Sequence, residues 1–310
     1  MRIAIIIPAF NIAPYLGDAI RSALTQTHTD WSLVIVDDGS TDATASIAAT
    51  FHDERIRLIR QRNAGVSAAR NHGIRHAEPS APDAFLFLDG DDWLAPTALA
   101  LLSETLESAP WAAAACARYA RVTTDGATRR SRPPPNGCVL ERLLTRNLFI
   151  NGGHLLIRQE AIRTAGDFRP DLSHGEDWEY WTRIALQGEF AAVPSRTPQL
   201  FVRERPGSAM LTGGTDPAAY RAAADAIHRN PAIVNRLGGA RLPQLRRRAE
   251  AEAAWAVGRE LIRHGQRRAG QRWLGRSIIG APSVRRLLLI GLSWSQIGPF
   301  RPYRTTTLHQ

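Results

Sequence analysis

Lysine is absent from this chain: all 39 basic residues are arginine. A Walker-A phosphate loop requires a lysine, and so does an enzyme that forms a Schiff base through its own amine. Both classes are excluded. Cysteine is nearly absent, with only Cys116 and Cys138 among 310 residues. They form no CxxC pair and no zinc-binding spacing. They exclude a disulfide-stapled scaffold and suit a reducing compartment. Long apolar runs are missing as well. Residues 3–7 are apolar but stop at Pro8, too short for the apolar core of a secretion signal. Residues 287–292 fall well short of the roughly 18 apolar residues of a membrane span. These absences together predict a cytoplasmic protein.

What is present is ordinary globular material: 44% hydrophobic residues, 22% charged, 24 Gly and 19 Pro. That is enough to bury a core and excludes disordered and collagen-like classes. The net charge of +10 is unevenly placed. Residues 1–214 hold 22 Arg against 24 Asp and Glu, whereas residues 215–310 hold 17 Arg against 5. The basic character therefore belongs to the C-terminal third. Such a region suits an anionic lipid surface, a nucleic acid or an acidic partner, or is simply a solvated helical face. No nucleic-acid reader motif accompanies it, so no nucleic acid is expected as a partner. Peripheral contact with an anionic membrane, at its inner face, is the partner this charge and residues 287–294 point to; closing over a substrate site or forming an oligomer interface is an equal alternative.

The first 120 residues alternate strand and helix signals. The continuous apolar run at 3–7 reads as a strand buried on both faces, 33–36 as the next strand, 56–59 as a short strand and 84–88 as another buried strand. Tyr15, Leu16, Ala19, Ile20, Ala23 and Leu24 follow helical spacing. Thr41 or Asp42 is placed to cap a helix running to about Phe51. Residues 66–77 read as a helix, and Pro96 is placed to open another ending near Ser108. Repeated units of this kind predict a mainly parallel sheet flanked by helices. The Pro/Arg-rich residues 129–137 read as an exposed loop. Beyond it come a strand at 154–157, a short helix from Gln159 and a helix over 176–186. From about Pro217 the pattern is helical and rich in Arg and Ala.

Acidic residues collect just after two of these strands. Asp37-Asp38-Gly39-Ser40-Thr41-Asp42 follows Val36, and Asp89-Gly90-Asp91-Asp92 follows Leu88. In an open parallel sheet, ligands bind beyond the carboxyl ends of the strands, so both clusters belong to one rim. The first is also what a tight turn with a helix cap requires. The second sets three carboxylates within four residues, which repel one another unless a cation neutralises them. Mg²⁺ or Mn²⁺ held by one or two carboxylates and substrate phosphates meets that need. A third group, Glu176-Asp177-Trp178-Glu179-Tyr180-Trp181, opens a helix, where acids are favoured by the helix dipole. One of its carboxylates can also act as a general base. Trp178 and Trp181 can face a sugar or the core; for Trp181 core packing is the preferred reading.

Taken together, these segments resemble the family-2 glycosyltransferases, which have the nucleotide-diphospho-sugar transferase (GT-A) fold. The matching stretches are Ile5-Ile6-Ile7-Pro8-Ala9-Phe10-Asn11, Gln26-Thr27, Val34-Ile35-Val36-Asp37-Asp38-Gly39-Ser40-Thr41-Asp42 and Asn63-Ala64-Gly65-Val66-Ser67-Ala68-Ala69-Arg70-Asn71-His72-Gly73-Ile74. They continue with Phe87-Leu88-Asp89-Gly90-Asp91-Asp92-Trp93-Leu94 and Gly175-Glu176-Asp177-Trp178-Glu179-Tyr180-Trp181-Thr182-Arg183. Six such stretches in this order cover about residues 1–210.

The resemblance implies a GT-A domain over residues 1–214, with a nucleotide-sugar-binding half (1–120) and an acceptor-binding half (121–214); the helical basic region over 215–310 is read from its pattern and charge alone. It implies that Pro8, Ala9 and Phe10 wrap the nucleotide base and ribose, and that Asp38 hydrogen-bonds the base, usually uracil. Asp89 and Asp91, with Gly90 between them, form the DxD pair. Asp91 binds a divalent metal, Mn²⁺ or Mg²⁺, on the diphosphate, and Asp89 reaches ribose or metal. Arg70 lies in a motif facing the donor, where a structural salt bridge is an equal alternative. Asp177 matches the catalytic base of the inverting members, and Glu176 and Trp178 shape the acceptor site. The implied reaction moves a sugar from a UDP-linked donor to a glycan or lipid-linked acceptor with inversion, as in surface polysaccharide synthesis. The alternative is a non-catalytic nucleotide-sugar-binding partner subunit.

One stretch departs from the family. Relatives often carry Tyr-Arg-x-His-x-Gly-Ser after the base, and here the sequence is Val202-Arg203-Glu204-Arg205-Pro206-Gly207-Ser208. Arg205 stands where a His would be a metal ligand. Either that ligand is missing, or Arg203 or Arg205 clamps the diphosphate directly, which suits guanidinium geometry, or the arginines belong to a surface loop.

Overall fold

The five apolar residues near the start of the chain form most of strand β1 (Ile3–Ala9), and all five are buried. Alternate side chains of a strand point to opposite faces, so Ile3, Ile5 and Ile7 enter one core while Ala4 and Ile6 serve the other side. Helix α1 (Ala13–Leu24) covers the first face with Leu16, Ala19, Ile20 and Ala23. On the second, helix α3 (Val66–Ala77) comes so close that a Cβ on Gly73 would lie 2.4 Å from Ile6 Cγ2. The computed structural model describes residues 1–205 and 217–292. Pro206-Gly207-Ser208, Ser293-Trp294 and the turn signal Gly298-Pro299 lie outside the described residues.

The remaining strands of the first unit are β2 (Trp31–Asp37), β3 (Ile56–Arg60), β4 (Ala84–Phe87), β5 (Trp93–Leu94), β6 (Ala112–Cys116), β7 (Tyr119–Val122), β8 (Thr128–Arg130), β9 (Leu155–Arg158), β10 (Glu189–Ala192) and β11 (Leu200–Arg203). Six of them and β1 form one sheet in the order β10-β6-β9-β4-β1-β2-β3. Strands β4, β1, β2 and β3 are mutually parallel, as the alternating pattern requires. Strand β9 runs antiparallel between β4 and β6. The other four form a smaller sheet in the order β5-β11-β7-β8. Helices α2 (Thr44–Ala49), α4 (Ala98–Ser108), α6 (Gln159–Ala165) and α7 (Glu176–Gln187) complete this unit; the short α5 (Leu140–Leu143) stands at its border with the second.

One local expectation is corrected, and one strand was not expected. The N-cap position of helix α2 is Ala43, not Thr41 or Asp42, with no side-chain capping bond, and the helix ends at Ala49. Asp42 instead accepts from the Thr44 and Ala13 amides, at 2.9 and 3.1 Å. Strand β6 is built almost wholly of alanine, a residue depleted in strands, so nothing in its composition announces it.

The chain divides into Met1–Leu140 with Leu148–Arg205, and Glu141–Asn147 with Pro206–Gln310. The second unit contains the helices Pro217–His228, Pro231–Arg263, Arg267–Gly280 and Val284–Leu292. Gly238, with φ 70°, interrupts the longest of them. Its later part meets the next helix at a glycine crossing, where a Cβ on Gly270 would lie 2.5 Å from the Gly258 carbonyl oxygen. Ile262 and Leu274 form the buried centre of that pair. Among the described residues no helix is long and apolar enough to cross a membrane.

Candidate active site

Because β4, β1 and β2 are adjacent and parallel, their carboxyl ends open on one rim. Ala9 is in register with Asp37, and the Leu88 amide donates to the Ile6 carbonyl at 3.0 Å. The segments that follow are Phe10-Asn11, Asp38 and Asp89 to Asp92. Asn11 takes a left-handed conformation, φ 51°, which asparagine tolerates better than most residues. Its Oδ1 accepts from the Thr41 amide at 2.9 Å, while its own amide donates to Ser40 Oγ at 3.0 Å. These bonds lace the loop after β1 to the loop after β2.

Of the three residues expected around a nucleotide, Phe10 is 47% exposed and Pro8 is part-buried. Ala9 is in the core, and its carbonyl accepts from the Asp38 amide at 2.8 Å, so it holds the rim together and offers no side-chain surface. Asp38 is buried. Its carboxylate accepts from Gln61 Nε2 at 2.7 Å and from the Ala64 and Gly65 amides at 2.9 Å. It thereby fixes the loop that leads into α3. Gly90 is glycine for a packing reason: a Cβ there would lie 2.2 Å from Ile12 Cδ1.

Arg70 is the hinge of the site. It projects from α3 with only 4% of its side chain exposed. Nη2 donates to Asp89 Oδ1 and Nη1 to Glu176 Oε1, both at 3.1 Å. One buried guanidinium thus ties the acidic turn after β4 to the start of α7. Burial alone would lower its pKa, but Asp89, Glu176 and Asp177 outweigh it and hold it above the ordinary value. The Asp89 carboxyl is shifted upward, first by burial and then by Asp91 and Glu176, with Arg70 opposing. The alternatives left open for Arg70, a donor-facing residue or a salt bridge, meet here: it forms the bridge, within the acidic cluster.

The third acid of the turn has a separate task. Asp92 is buried, and its two oxygens accept from Asn151 Nδ2 at 2.6 Å and from the Arg203 amide at 2.9 Å. Burial, then Asp89 and Asp91, push its pKa well above the ordinary carboxylate value. Asp92 therefore anchors the turn to β11. Arg203 is spent on neighbours: Nη2 donates to Asp18 at 2.7 Å, Nε to the Asp91 carbonyl at 3.2 Å, and the guanidinium lies over Trp93 and Tyr15. Arg205 Nε reaches Asp91 Oδ2 at 2.6 Å. Asn151 was not singled out by sequence reasoning. The Asn-Gly-Gly run it begins, where a Cβ on Gly152 would lie 2.7 Å from Phe87 Cβ, was the available signal.

Helix α7 starts at Gly175, which is left-handed (φ 74°). Glu176 and Asp177 fill its first turn, where carboxylates are favoured by the helix dipole. Asp177 Oδ1 accepts from the Trp178 amide at 2.6 Å. Glu179 is held by Arg183 through two hydrogen bonds of 2.9 and 2.8 Å. Phe168 stacks on Tyr180 with centroids 3.6 Å apart, and Trp181 is fully buried. Trp178 is also buried, at 5% exposure, so an acceptor would meet little of its face as it stands here.

Among the described residues no three His, Cys, Asp or Glu side chains converge as a metal-binding group. Asp89 and Asp91 nonetheless retain one carboxylate oxygen each without a protein hydrogen bond. Two carboxylates completed by substrate phosphate oxygens are a normal environment for Mg²⁺, so the donor set fits a divalent cation as a pair.

The family model described as "Glycosyl transferase family 2" matches residues 4–165, just over half of the chain. The uncharacterized glycosyltransferase EpsJ of Bacillus subtilis (strain 168) is 34% identical over 135 residues, 43% of this chain and 37% of EpsJ. The chain spans between 13% and 64% of the length of the first curated relatives it matches. Residues 1–349 of Staphylococcus aureus TarS, in complex with UDP, superpose with a TM-score of 0.64 at 16% identity, covering 96% of this chain and 92% of that one. The mannosyltransferase PcManGT of Pyrobaculum calidifontis, in complex with GDP-Man and Mn²⁺, superposes at 0.59 and 19% identity, covering 97% and 82%. At these identities the likeness is one of fold.

Proposed function

The chain belongs to glycosyl transferase family 2 and has the GT-A fold of these structures, and from that premise we propose that it transfers a sugar from a nucleotide-diphosphate donor, a UDP-sugar, to a glycan or lipid-linked acceptor with inversion. The observation that carries this reading is the Arg70 bridge, because it unites the DxD acid Asp89 with the helix turn bearing Asp177. This bridge supports the reading that one cluster serves both the donor side and the base side of the reaction. UDP in TarS and GDP-Man in PcManGT support a nucleotide-sugar donor.

In this reading Phe10 and Pro8 pack on the base and ribose, and Asp38 is the acid that would hydrogen-bond the base, exchanging one of the three protein donors it now holds. Asp91 and Asp89 are the carboxylates that would hold a divalent cation, which when bound neutralises charge growing on the diphosphate. Arg205, already on Asp91, stands ready to pass to a phosphate oxygen as the diphosphate arrives, since a guanidinium pairs with either anion. Asp177 accepts the proton of the acceptor hydroxyl as its oxygen bonds to the anomeric carbon. The bond from that carbon to the diphosphate oxygen breaks on the opposite face, through an oxocarbenium-like state. Glu176 is held by Arg70 at the edge of the acceptor side. The test is transfer to an acceptor with Asp177→Asn. Loss of a general base costs about 10²- to 10⁴-fold in kcat, with donor binding retained. An unchanged kcat would remove Asp177 from this role.

A further inference from the structure

The helix Val284–Leu292 is amphipathic in the wrong sense for water. Its outward row is Val284, Leu287, Leu288 and Gly291, which are exposed, with the three large side chains 74, 56 and 69% accessible. Its arginine at 286 turns inward instead, donating to Glu252 Oε1 at 2.6 Å and to the Ser277 carbonyl at 3.0 Å. Leu289 and Ile290 pack on the Ile262–Leu274 centre. Ile279, at the end of the preceding helix, is 85% exposed. Half of the large apolar side chains left exposed among the described residues therefore fall within ten residues of sequence. A concentrated exposed apolar patch marks an interaction surface.

The patch is continued by charge. On the helix Arg267–Gly280, Gly270, Leu274 and Ser277 face inward. Arg268, Arg272 and Arg276 are exposed at four-residue intervals, one row of a helix surface, and that row runs on to Ile279. None of the three forms an ion pair among the described residues. The carboxylates described in this unit are engaged elsewhere: Glu141 with Arg241, Asp225 and Glu250 with Arg246, Glu252 with Arg286, and Glu260 with Arg263.

We propose that this face, the apolar row 279–288 together with the arginine row 268–276, docks on an anionic lipid bilayer. Amphipathic helices with arginine beside exposed Leu and Ile lie in the headgroup boundary, the apolar row entering it and the cations meeting lipid phosphates. A nucleic acid would satisfy the arginines but not Leu287 and Leu288. A second copy of the chain would cover the leucines but bring up another arginine row without ion pairs, with the described carboxylates already spent. The bilayer answers both rows at once, and the inference stands independently of the transferase reading.

The experiment is flotation of the full chain with vesicles of phosphatidylcholine alone or mixed with phosphatidylglycerol. Two variants accompany it: Arg268→Gln/Arg272→Gln/Arg276→Gln, and Ile279→Ser/Leu287→Ser/Leu288→Ser. All six positions are exposed, and circular dichroism checks that the helices persist. Wild type is expected to float with the anionic vesicles only and to be released by salt. Each cation near an anionic surface contributes about fivefold, so the arginine variant is expected to lose roughly a hundredfold in partitioning. The serine variant is expected to lose binding as well. Equal binding to neutral vesicles, no binding by wild type, or wild-type binding by both variants would each overturn the proposal. So would a dimer on sizing that the serine variant dissolves, since that result gives the face to a second copy.

Discussion

Arg205 Nε lies 2.6 Å from Asp91 Oδ2, so the acid expected to meet a metal on the diphosphate is paired with a cation from this chain. A divalent ion entering here must displace or share that guanidinium. Arg205→Gln is therefore expected to tighten Mn²⁺ binding several-fold, on the order of 1 kcal/mol for a part-exposed pair, and to weaken binding of a nucleoside diphosphate. Calorimetry with each ligand alone measures both. Unchanged Mn²⁺ affinity would mean that the pair does not guard the acid.

Arg70 predicts a stability effect. Removing one partner of a buried charge cluster leaves the others uncompensated, at about 3–5 kcal/mol. Arg70→Met is expected to lower the denaturation midpoint accordingly, and Asp89→Asn in the same background to recover part of the loss. Additive losses would show that the two side chains are not coupled.

Gly90 predicts a steric one. An alanine Cβ would press on Ile12 Cδ1 at 2.2 Å, and overpacking of this kind costs about 1–3 kcal/mol. Ile12→Val removes that methyl, so the double variant is expected to be more stable than Gly90→Ala alone. A thermal melt of the three proteins decides it.

His154 predicts an acid sensitivity. Burial pushes its pKa down to about 4, against the help of a hydrogen bond to the Ala117 carbonyl at 2.9 Å. Between about pH 6.5 and 4 the unfolded chain binds a proton here that the folded chain refuses. The stability due to the neutral ring is thus full above pH 6.5 and falls as pH drops to 4, by about 3 kcal/mol in all. His154→Gln is expected to flatten that part of the stability–pH curve. An identical slope in wild type and variant would contradict it.

The parallel half of the sheet was legible because strands buried on both faces are written as unbroken apolar runs, as at Ile3 to Ile7 and Leu33 to Val36. The acids after them were legible because the ends of parallel strands share a rim. Strand β6 was not, since Ala112 to Cys116 carry no β preference. Neither were the partners of the acids. That the Arg203 amide grips Asp92 follows from β11 returning beside β5, a pairing between residues more than a hundred positions apart, and Asn151 reaches the same carboxylate from the segment before β9. Gly90 was read from its motif, whereas its reason is Ile12.

The most direct measurement is release of nucleoside diphosphate from a panel of nucleotide sugars, with Mn²⁺ or EDTA, by wild type and Asp91→Ala. The account predicts slow turnover of one donor by wild type, reduced in Asp91→Ala. Absence of both turnover and calorimetric binding for every nucleotide sugar in the panel would contradict it.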